Sequence, residues 1–190
     1  MSVSDNGWEQ PPDRPTKVWI GGEKGKHSIY DLGFRTPIIF SLPGRIAEGV
    51  MRAELVSIVD IFPTPLDFAG VDVPPGRMGF TLRPLLTGRG SFERRQVVGG
   101  SRMNRPAGLD ARKYEVVPDP AYFLRDSEWR YVWFVDRAED ALYRIEEDPR
   151  EMRNLVDQER PRAMRYRAEI ERWRREARDS MSAASTPPDA

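Results

Sequence analysis

Three side chains near the start of the chain could act together on an anionic group. Asp5 and Asn6 stand side by side, and Lys26 lies in a loop rich in proline and glycine. A carboxylate and a carboxamide supply hard oxygen ligands, which suit Ca²⁺ or Mg²⁺. A lysine is a point charge that can bind an oxyanion while its oxygens gain charge. These residue types therefore indicate a cation-assisted site for an oxyanion group.

Each of these residues also has an ordinary structural interpretation. Asp5-Asn6-Gly7 is a sequence favoured in turns, because Asn and Gly tolerate positive φ, and on these residues alone the turn is the preferred interpretation. Lys26 alone is most simply a solvated lysine, with Lys24 as a rival nearby. His27, the only histidine, has no nucleophile motif with it, so it is assigned no catalytic role.

One arginine in the same stretch is predicted to have a structural role. We expect Arg35 to pair with a carboxylate, for which Asp31 is the candidate. Three further polar residues, Asp60, Asp148 and Asn154, are predicted to cap helices or form turns. The aromatic residues of the second half are predicted to pack in a core; they include Trp129, Trp133, Tyr143 and Trp173.

Composition excludes several classes of function. The 30 basic and 30 acidic residues cancel, so no overall field directs the chain to nucleic acid. The chain has no cysteine, which excludes disulfides, thiolate metal sites and a cysteine nucleophile within it. No apolar run approaches the ~20 residues of a membrane-spanning helix, and no signal-peptide pattern precedes residue 8.

The first half of the chain has the pattern of an α/β fold. The apolar run at residues 36–40 is typical of a strand buried on both faces of a parallel sheet. Residues 55–69 carry a helical pattern, for which we expect Asp60 to be the N-cap and Gly70 the stop signal. A further helical turn is expected at residues 83–86.

The second half predicts a small antiparallel sheet followed by a helix. Short segments rich in β-branched and aromatic residues alternate with turn residues; they are residues 96–98, 121–125, 129–135 and 141–145. Residues 150–154 are predicted to form a short helix, and residues 159–178 a longer amphipathic one. The tail from residue 180 to residue 190 is small, polar and contains proline, so we expect it to be disordered.

The order of these segments resembles the C-terminal part of the type I sulfatases, which are arylsulfatase-like members of the alkaline-phosphatase superfamily. The resemblance covers roughly residues 3–175, and it depends on several short motifs that occur in the right order. They are Ser4-Asp5-Asn6-Gly7-Trp8, the lysine loop and following strand at residues 26–37, Pro43-Gly44, residues 55–64, Phe123-Leu124-Arg125 with Arg130-Tyr131-Val132, and residues 141–149 with Asn154-Leu155.

This resemblance implies a fold and a reaction. Residues 1–89 would be the end of the catalytic α/β domain, residues 90–179 a subdomain with an antiparallel sheet and a helix, and residues 180–190 a disordered tail. Sulfatases hydrolyse sulfate esters with a formylglycine made from the Cys or Ser of a C/S-x-P-x-R motif, assisted by a divalent cation that is usually Ca²⁺. By position, Asp5 and Asn6 would be metal ligands, and Lys26 would be the catalytic and substrate-binding residue.

The same resemblance indicates an incomplete site. We expect the chain to contain no C/S-x-P-x-R motif, so the nucleophile would lie upstream. The remaining metal ligands would also lie upstream, because two oxygen ligands fall short of the six to eight that Ca²⁺ prefers. The chain is therefore expected to be a fragment that begins at the active-site end of a domain and is inactive alone. Two alternatives stay open: a phosphoryl- or phosphonate-transfer relative, against which Asn6 argues, and a non-catalytic binding module.

Overall fold

The computed structural model describes residues 1–4, 7, 28–104, 115–135 and 140–184. Within these ranges the main feature is a four-stranded antiparallel sheet whose strands follow one another in chain order. The strands are β3 (Val97–Asn104), β4 (Glu115–Arg125), β5 (Trp129–Phe134) and β6 (Ala141–Arg144). The sheet predicted from the alternating pattern is therefore confirmed.

A long helix, α4 (Arg160–Ala184), covers one face of this sheet. Side chains alternate between the two faces of a strand, so Tyr131 and Trp133 of β5 share the core with α4 while Val132 points to the other face. The helix contributes Ala163, Tyr166 and Ile170 to this buried cluster. The predicted packing role of the aromatic residues is confirmed for Trp129, Trp133 and Tyr143, which are buried, and Trp173 packs edge-on to Tyr122.

The opposite face of the sheet is covered by the segment that leads into a short helix, α1 (Asp31–Phe34). Ile29 is buried against Phe123, Val132, Ala141 and Tyr143. The Tyr30 ring packs edge-on to Tyr143 at a centroid distance of 6.1 Å, and the Phe34 ring lies 4.9 Å from that of Phe123. An element from the start of the chain thus shares a core with strands that lie about a hundred residues later.

The predicted strand at residues 36–40 is present, but its partner and its burial differ from the prediction. It is β2 (Ile38–Ile39), which pairs antiparallel with β1 (Ser2–Val3) through Val3 opposite Ile38. Ile39 is 58 % exposed, so neither β1 nor any other described residue buries it. The apolar run indicated a strand suited to burial, but the run contains no information about which strand pairs with it.

The helical segment at residues 55–69 is split in two. A 3₁₀ turn at Ile58–Ile61 precedes α2 (Pro63–Ala69), and a further helix, α3, spans Arg83–Thr87 as predicted. Gly70 ends α2 with φ = 70°, so the predicted stop is confirmed. The prediction that Asp60 is the N-cap was wrong, because Asp60 occupies the third position of a capping box whose N-cap is Ser57.

Two predictions at the C-terminal end need correction. Residues 150–154 form no helix, because the Asp148 carboxylate accepts the main-chain N–H groups of Met152 and Arg153 and holds a turn instead. The helix α4 continues to Ala184, so residues 180–184 belong to it and not to a disordered tail. Residues 185–190 lie outside the described residues. Among the helices that the structure describes, none has the length and apolar character to cross a membrane.

Candidate functional site

The three residues that the sequence assigns to the site lie outside the described part of the chain. They are Asp5, Asn6 and Lys26. The residues that flank them are described, however: Ser4 and Gly7 on either side of the Asp-Asn pair, and Ser28 two residues after the lysine. The placement of these flanking residues decides where the two segments enter and leave the fold.

Ser4 and Gly7 are both held next to α1. The Gly7 N–H donates to the carbonyl oxygen of Gly33 at 3.0 Å, and the Thr36 hydroxyl donates to the carbonyl oxygen of Ser4 at 3.2 Å. Gly7 also packs so closely that a Cβ built on it would lie 2.1 Å from the Leu32 carbonyl oxygen. Glycine is therefore required at this position by the close approach of two main chains.

The segment that follows Lys26 is fixed at the same place. Ser28 and Ile29 are buried, and the Ser28 hydroxyl accepts the N–H of Tyr30 at 3.4 Å. The main chain then enters α1 at Asp31. Because Gly7 hydrogen-bonds to Gly33 within α1, the described residues that flank the Asp-Asn pair and the lysine both lie near this short helix.

A buried cluster of charges anchors α1 to the sheet. The Arg130 guanidinium, on β5, lies 3.4 Å from Oδ1 of Asp31 and 3.2 Å from Oε1 of Glu151. Arg125 lies 3.6 Å from the same Asp31 oxygen. The prediction that the Arg35 side chain pairs with Asp31 was wrong. The guanidinium groups that pair with the Asp31 carboxylate belong to Arg125 and Arg130 of the sheet. Arg35 is exposed and gives only its main-chain N–H to the Asp31 carbonyl, at 2.7 Å.

The sequence analysis gave Arg130 no role in the site, although it is almost fully buried, with 1 % of its surface exposed. Burial lowers the pKa of the Arg130 guanidinium from its ordinary value, while the carboxylates of Glu151 and Asp31 oppose that change. One signal could have identified it: a charged residue inside the apolar strand Trp-Arg-Tyr-Val-Trp-Phe. Charged residues are almost never fully buried unless they are paired.

The described residues contain no ready-made metal site. No group of three or more His, Asp or Glu side chains comes together among them in a way that could hold a metal ion. The donors available from the sequence-based assignment are therefore the oxygens of Asp5 and Asn6. Their chemistry suits a hard cation such as Ca²⁺, but their number covers only part of its coordination.

The expectation that the chain contains no C/S-x-P-x-R motif was wrong, because one segment has these residues at this spacing. Ser41-Leu42-Pro43-Gly44-Arg45 matches it. The match forms a turn after β2, in which the Leu42 carbonyl accepts the N–H groups of Arg45 and Ile46. Because β1 and β2 are antiparallel, Ser41 lies at the Met1 end of the strand pair and Ser4 lies at the opposite end. At about 3.4 Å per residue, these two serines are roughly 14 Å apart along the strands. The segment is thus remote from the Ser4–Gly7 side of the fold.

The fold and the sequence motifs together define a sulfatase-like C-terminal region, and comparison with known protein families agrees. Residues 22–176 match the family described as N-sulphoglucosamine sulphohydrolase, C-terminal. Because the match spans most of the chain, the chain belongs to this family. The matched range includes Lys26 and the buried charge cluster, whereas Asp5 and Asn6 precede it.

Individual curated proteins give the same result. The chain is similar to human arylsulfatase K, with 31 % identity over 133 residues that cover 69 % of this chain and 24 % of the relative. It is also similar to the N-acetylglucosamine-6-O-sulfatase of Bacteroides thetaiotaomicron, with 29 % identity over 140 residues that cover 69 % and 24 % of the two chains. The chain therefore spans about a quarter of the length of the curated relatives it matches.

Solved structures share the fold. A 2-O GAG sulfatase superposes with a TM-score of 0.67 and 25 % identity, over 82 % of this chain and 33 % of the other. A second structure, solved in complex with its substrate D-glucosamine-2-N,6-O-disulfate, superposes with a TM-score of 0.62 and 26 % identity, over 79 % and 30 % of the two chains. The predicted architecture, the end of an α/β sulfatase domain followed by a small sheet and helix, is confirmed.

Proposed function

We propose that this chain supplies the C-terminal part of a sulfatase active site that hydrolyses sulfate esters. In this proposal Asp5 and Asn6 provide two oxygen ligands for a divalent cation, Ca²⁺, and Lys26 contacts the sulfate. The observation that carries the proposal is the anchoring of Gly7 on Gly33 at 3.0 Å. It brings the segment after Asn6 to the helix that follows Lys26.

The chain's own residues have distinct tasks in this proposal. The Asp5 carboxylate and the Asn6 carbonyl oxygen would hold the cation, which when bound would supply a Lewis acid for the sulfate. The Lys26 ammonium neutralises charge that grows on the sulfate oxygens and on the leaving oxygen as the ester bond breaks. Gly7, fitted against Leu32, keeps the entry of the first segment close to α1.

Catalysis in this proposal needs further polypeptide. The nucleophile and the other cation ligands would come from regions that correspond to the remaining three quarters of the curated relatives. Purified chain alone is expected to give background turnover of an aryl sulfate. Clear turnover by residues 1–190 would contradict this part of the proposal.

For the substrate we propose a sulfated amino sugar. One relative carries the name N-acetylglucosamine-6-O-sulfatase, and one structural neighbour was solved with a glucosamine disulfate. A chimera that joins the upstream part of human arylsulfatase K to this chain provides the test. It is expected to release sulfate from glucosamine 6-sulfate, and release of phosphate from a phosphate monoester at an equal rate would favour a phosphoryl-transfer function instead.

The same chimera tests the role of Lys26. We expect Lys26→Ala to lower kcat by a factor of about 10²–10³, which is typical for the removal of one charge-stabilising group. Lys24→Ala is the matched control, because it removes an equal charge from the same loop. Equal effects of the two substitutions would show that Lys26 has no specific part in the reaction.

Cation binding can be measured on the chain itself with Tb³⁺ as a probe for Ca²⁺. Trp8 stands two residues after Asn6, so we expect it to sensitise the luminescence of Tb³⁺ bound there. The double substitution of Asp5→Ala and Asn6→Ala should abolish this luminescence because it removes the two ligands. Trp8→Phe should also abolish it, because it removes the residue that sensitises the ion. Asp157→Ala, at an exposed carboxylate, is the control. A signal that survives the double substitution would overturn the assignment of these two ligands.

A further inference from the structure

We propose that Arg130, Asp31 and Glu151 are positioning residues that hold the turn at residues 28–33 and thereby place Lys26. The proposal deepens the proposed function, since the role of Lys26 rests on it. The dependence of the turn on the three charges can nevertheless be tested without any assay of catalysis.

Arg130 connects three parts of the chain through one guanidinium group. Its Nη2 donates to the Ile29 carbonyl oxygen at 2.5 Å, and its Nη1 donates to Oδ1 of Asp31 at 3.4 Å. Its Nε lies 3.2 Å from Oε1 of Glu151. Arg130, which lies on β5, therefore binds the turn both at the main chain of Ile29 and at the side chain of Asp31.

Glu151 also binds the turn, through a hydrogen bond to its main chain. Its Oε2 accepts the main-chain N–H of Asp31 at 2.8 Å, and its side chain is almost fully buried. Glu151 has φ = 56°, the one positive φ among the described residues other than glycine. Such a conformation persists only where the surroundings enforce it. The turn at Asp148 and the two contacts of the Glu151 carboxylate provide that enforcement.

The arrangement uses both the charges and the planar fork of the Arg130 guanidinium. Within the described part of the chain, the carboxylates of Asp31 and Glu151 face the cations of Arg125 and Arg130, so these four charges balance. The Phe123 ring covers the Arg130 guanidinium at 4.0 Å and excludes water from one side. A lysine at position 130 would carry the charge but could not make contacts in three fixed directions.

This cluster bears on Lys26 through chain connectivity. Only His27 separates Lys26 from Ser28, the first buried residue of the turn. In this proposal, the residues that fix Ser28, Ile29 and Asp31 set the point at which the chain that follows Lys26 enters the turn. A substitution that frees the turn is expected to move Lys26 while the sheet and α4 stay as they are.

Amide hydrogen exchange on the full chain tests the first step. Glu151→Ala is expected to raise exchange at residues 29–35 at least tenfold and to leave the amides of α4 unchanged. Glu151→Gln keeps an acceptor for the Asp31 N–H and should raise exchange less. Glu147→Gln, at an exposed glutamate of the same turn region, is the control. Unchanged exchange at residues 29–35, or an equal rise in α4, would overturn the proposal.

Lysine labelling tests the second step. The relative rates at which acetic anhydride modifies Lys26 and Lys24, read by mass spectrometry, report on the surroundings of each side chain. Glu151→Gln keeps the shape of the side chain, and Arg130→Lys keeps its charge. In both variants we expect the ratio of the two labelling rates to shift at least threefold. An unchanged ratio would overturn the positioning role. Failure of Lys26→Ala to affect the chimera would instead reject the proposed function and leave this result intact.

Discussion

At the scale of single residues, Asp60 shows how one carboxylate organises a loop region. It is completely buried and lies 2.6 Å from the Arg94 guanidinium. Its two oxygens also accept the N–H groups of Ser57 at 2.7 Å and of Phe80 at 2.9 Å. Three segments that are up to 34 residues apart are thereby joined at a single side chain.

Removal of this carboxylate should be strongly destabilising. Asp60→Ala leaves Arg94 buried without its partner, which typically costs about 3–5 kcal/mol. We expect a loss of that size in the free energy of unfolding, measured by urea denaturation. Asp72→Ala, at an exposed aspartate, is the control and should stay within about 0.5 kcal/mol of the wild type. A change of less than 1 kcal/mol for Asp60→Ala would contradict the buried ion pair.

Gly7 provides a second prediction at the residue scale. Gly7→Ala would place a methyl group 2.1 Å from the Leu32 carbonyl oxygen, so the segment before it must move away from α1. We expect the Tb³⁺ affinity to fall at least tenfold while the melting of the sheet and α4, followed by circular dichroism, changes little. Ser2→Ala, at an exposed strand residue, is the control. Unaltered Tb³⁺ binding would show that the contact between Gly7 and α1 is unimportant for the site.

At the scale of elements, tyrosines join the sheet to its two coverings. Tyr131 on β5 packs against Tyr166 of α4 and donates its hydroxyl hydrogen to Asp140, while Tyr143 on β6 contacts Tyr30. Burial raises the pKa of Tyr131 and of Tyr143 well above the ordinary value near 10, and the Asp140 hydrogen bond raises that of Tyr131 further. Both hydroxyls therefore stay neutral in the folded chain.

These shifts predict a loss of stability in alkaline solution. An unfolded tyrosine ionises near pH 10, so the stabilisation is complete below that pH and is lost as the pH rises further toward the folded pKa. Between the unfolded and the folded pKa, each such tyrosine lowers the free energy of unfolding by about 1.4 kcal/mol per pH unit. Tyr131→Phe should cost about 1 kcal/mol at pH 7 for the lost hydrogen bond and make the slope above pH 10 shallower. Urea denaturation at pH 7 to 11.5 measures both, and an unchanged slope would contradict the assignment.

At the scale of the whole molecule, the described structure bears on the domain boundary that the sequence suggested between residues 89 and 90. That boundary remains a prediction. Ile29 lies before it, yet packs with Phe123 and Tyr143 after it. Asp31 also lies before it and pairs with Arg130. The sheet thus has one face whose apolar and charged groups are covered by residues of the first half.

Truncation tests how far the second half depends on this covering. A fragment of residues 90–178 should show no cooperative thermal transition, because it exposes the face around Phe123 and leaves Arg130 and Glu151 without Asp31. A fragment of residues 28–178 retains these contacts and should melt cooperatively. Circular dichroism during heating distinguishes the two. A cooperative transition in the shorter fragment would support an independent binding module.

Elements whose signals are local could be predicted from the amino-acid sequence alone. The β-branched and aromatic residues of strands β4 to β6, the amphipathic period of α4 and the stop at Gly70 are signals within short stretches of chain, so they could be predicted without a partner. Family motifs likewise indicated Asp5, Asn6 and Lys26 as site residues, and these assignments remain predictions.

The contacts between distant groups, by contrast, could be seen only in the folded chain. Asp31 contacts Arg130 across 99 residues and Glu151 across 120, and Arg35, four residues away, is not the cation that these contacts use. The pairing of β2 with β1 and the close fit of Gly7 on Leu32 were equally unpredictable. The physical reason is that a buried charge or an apolar strand requires a partner, while the residue that serves as this partner is set by how the whole chain packs.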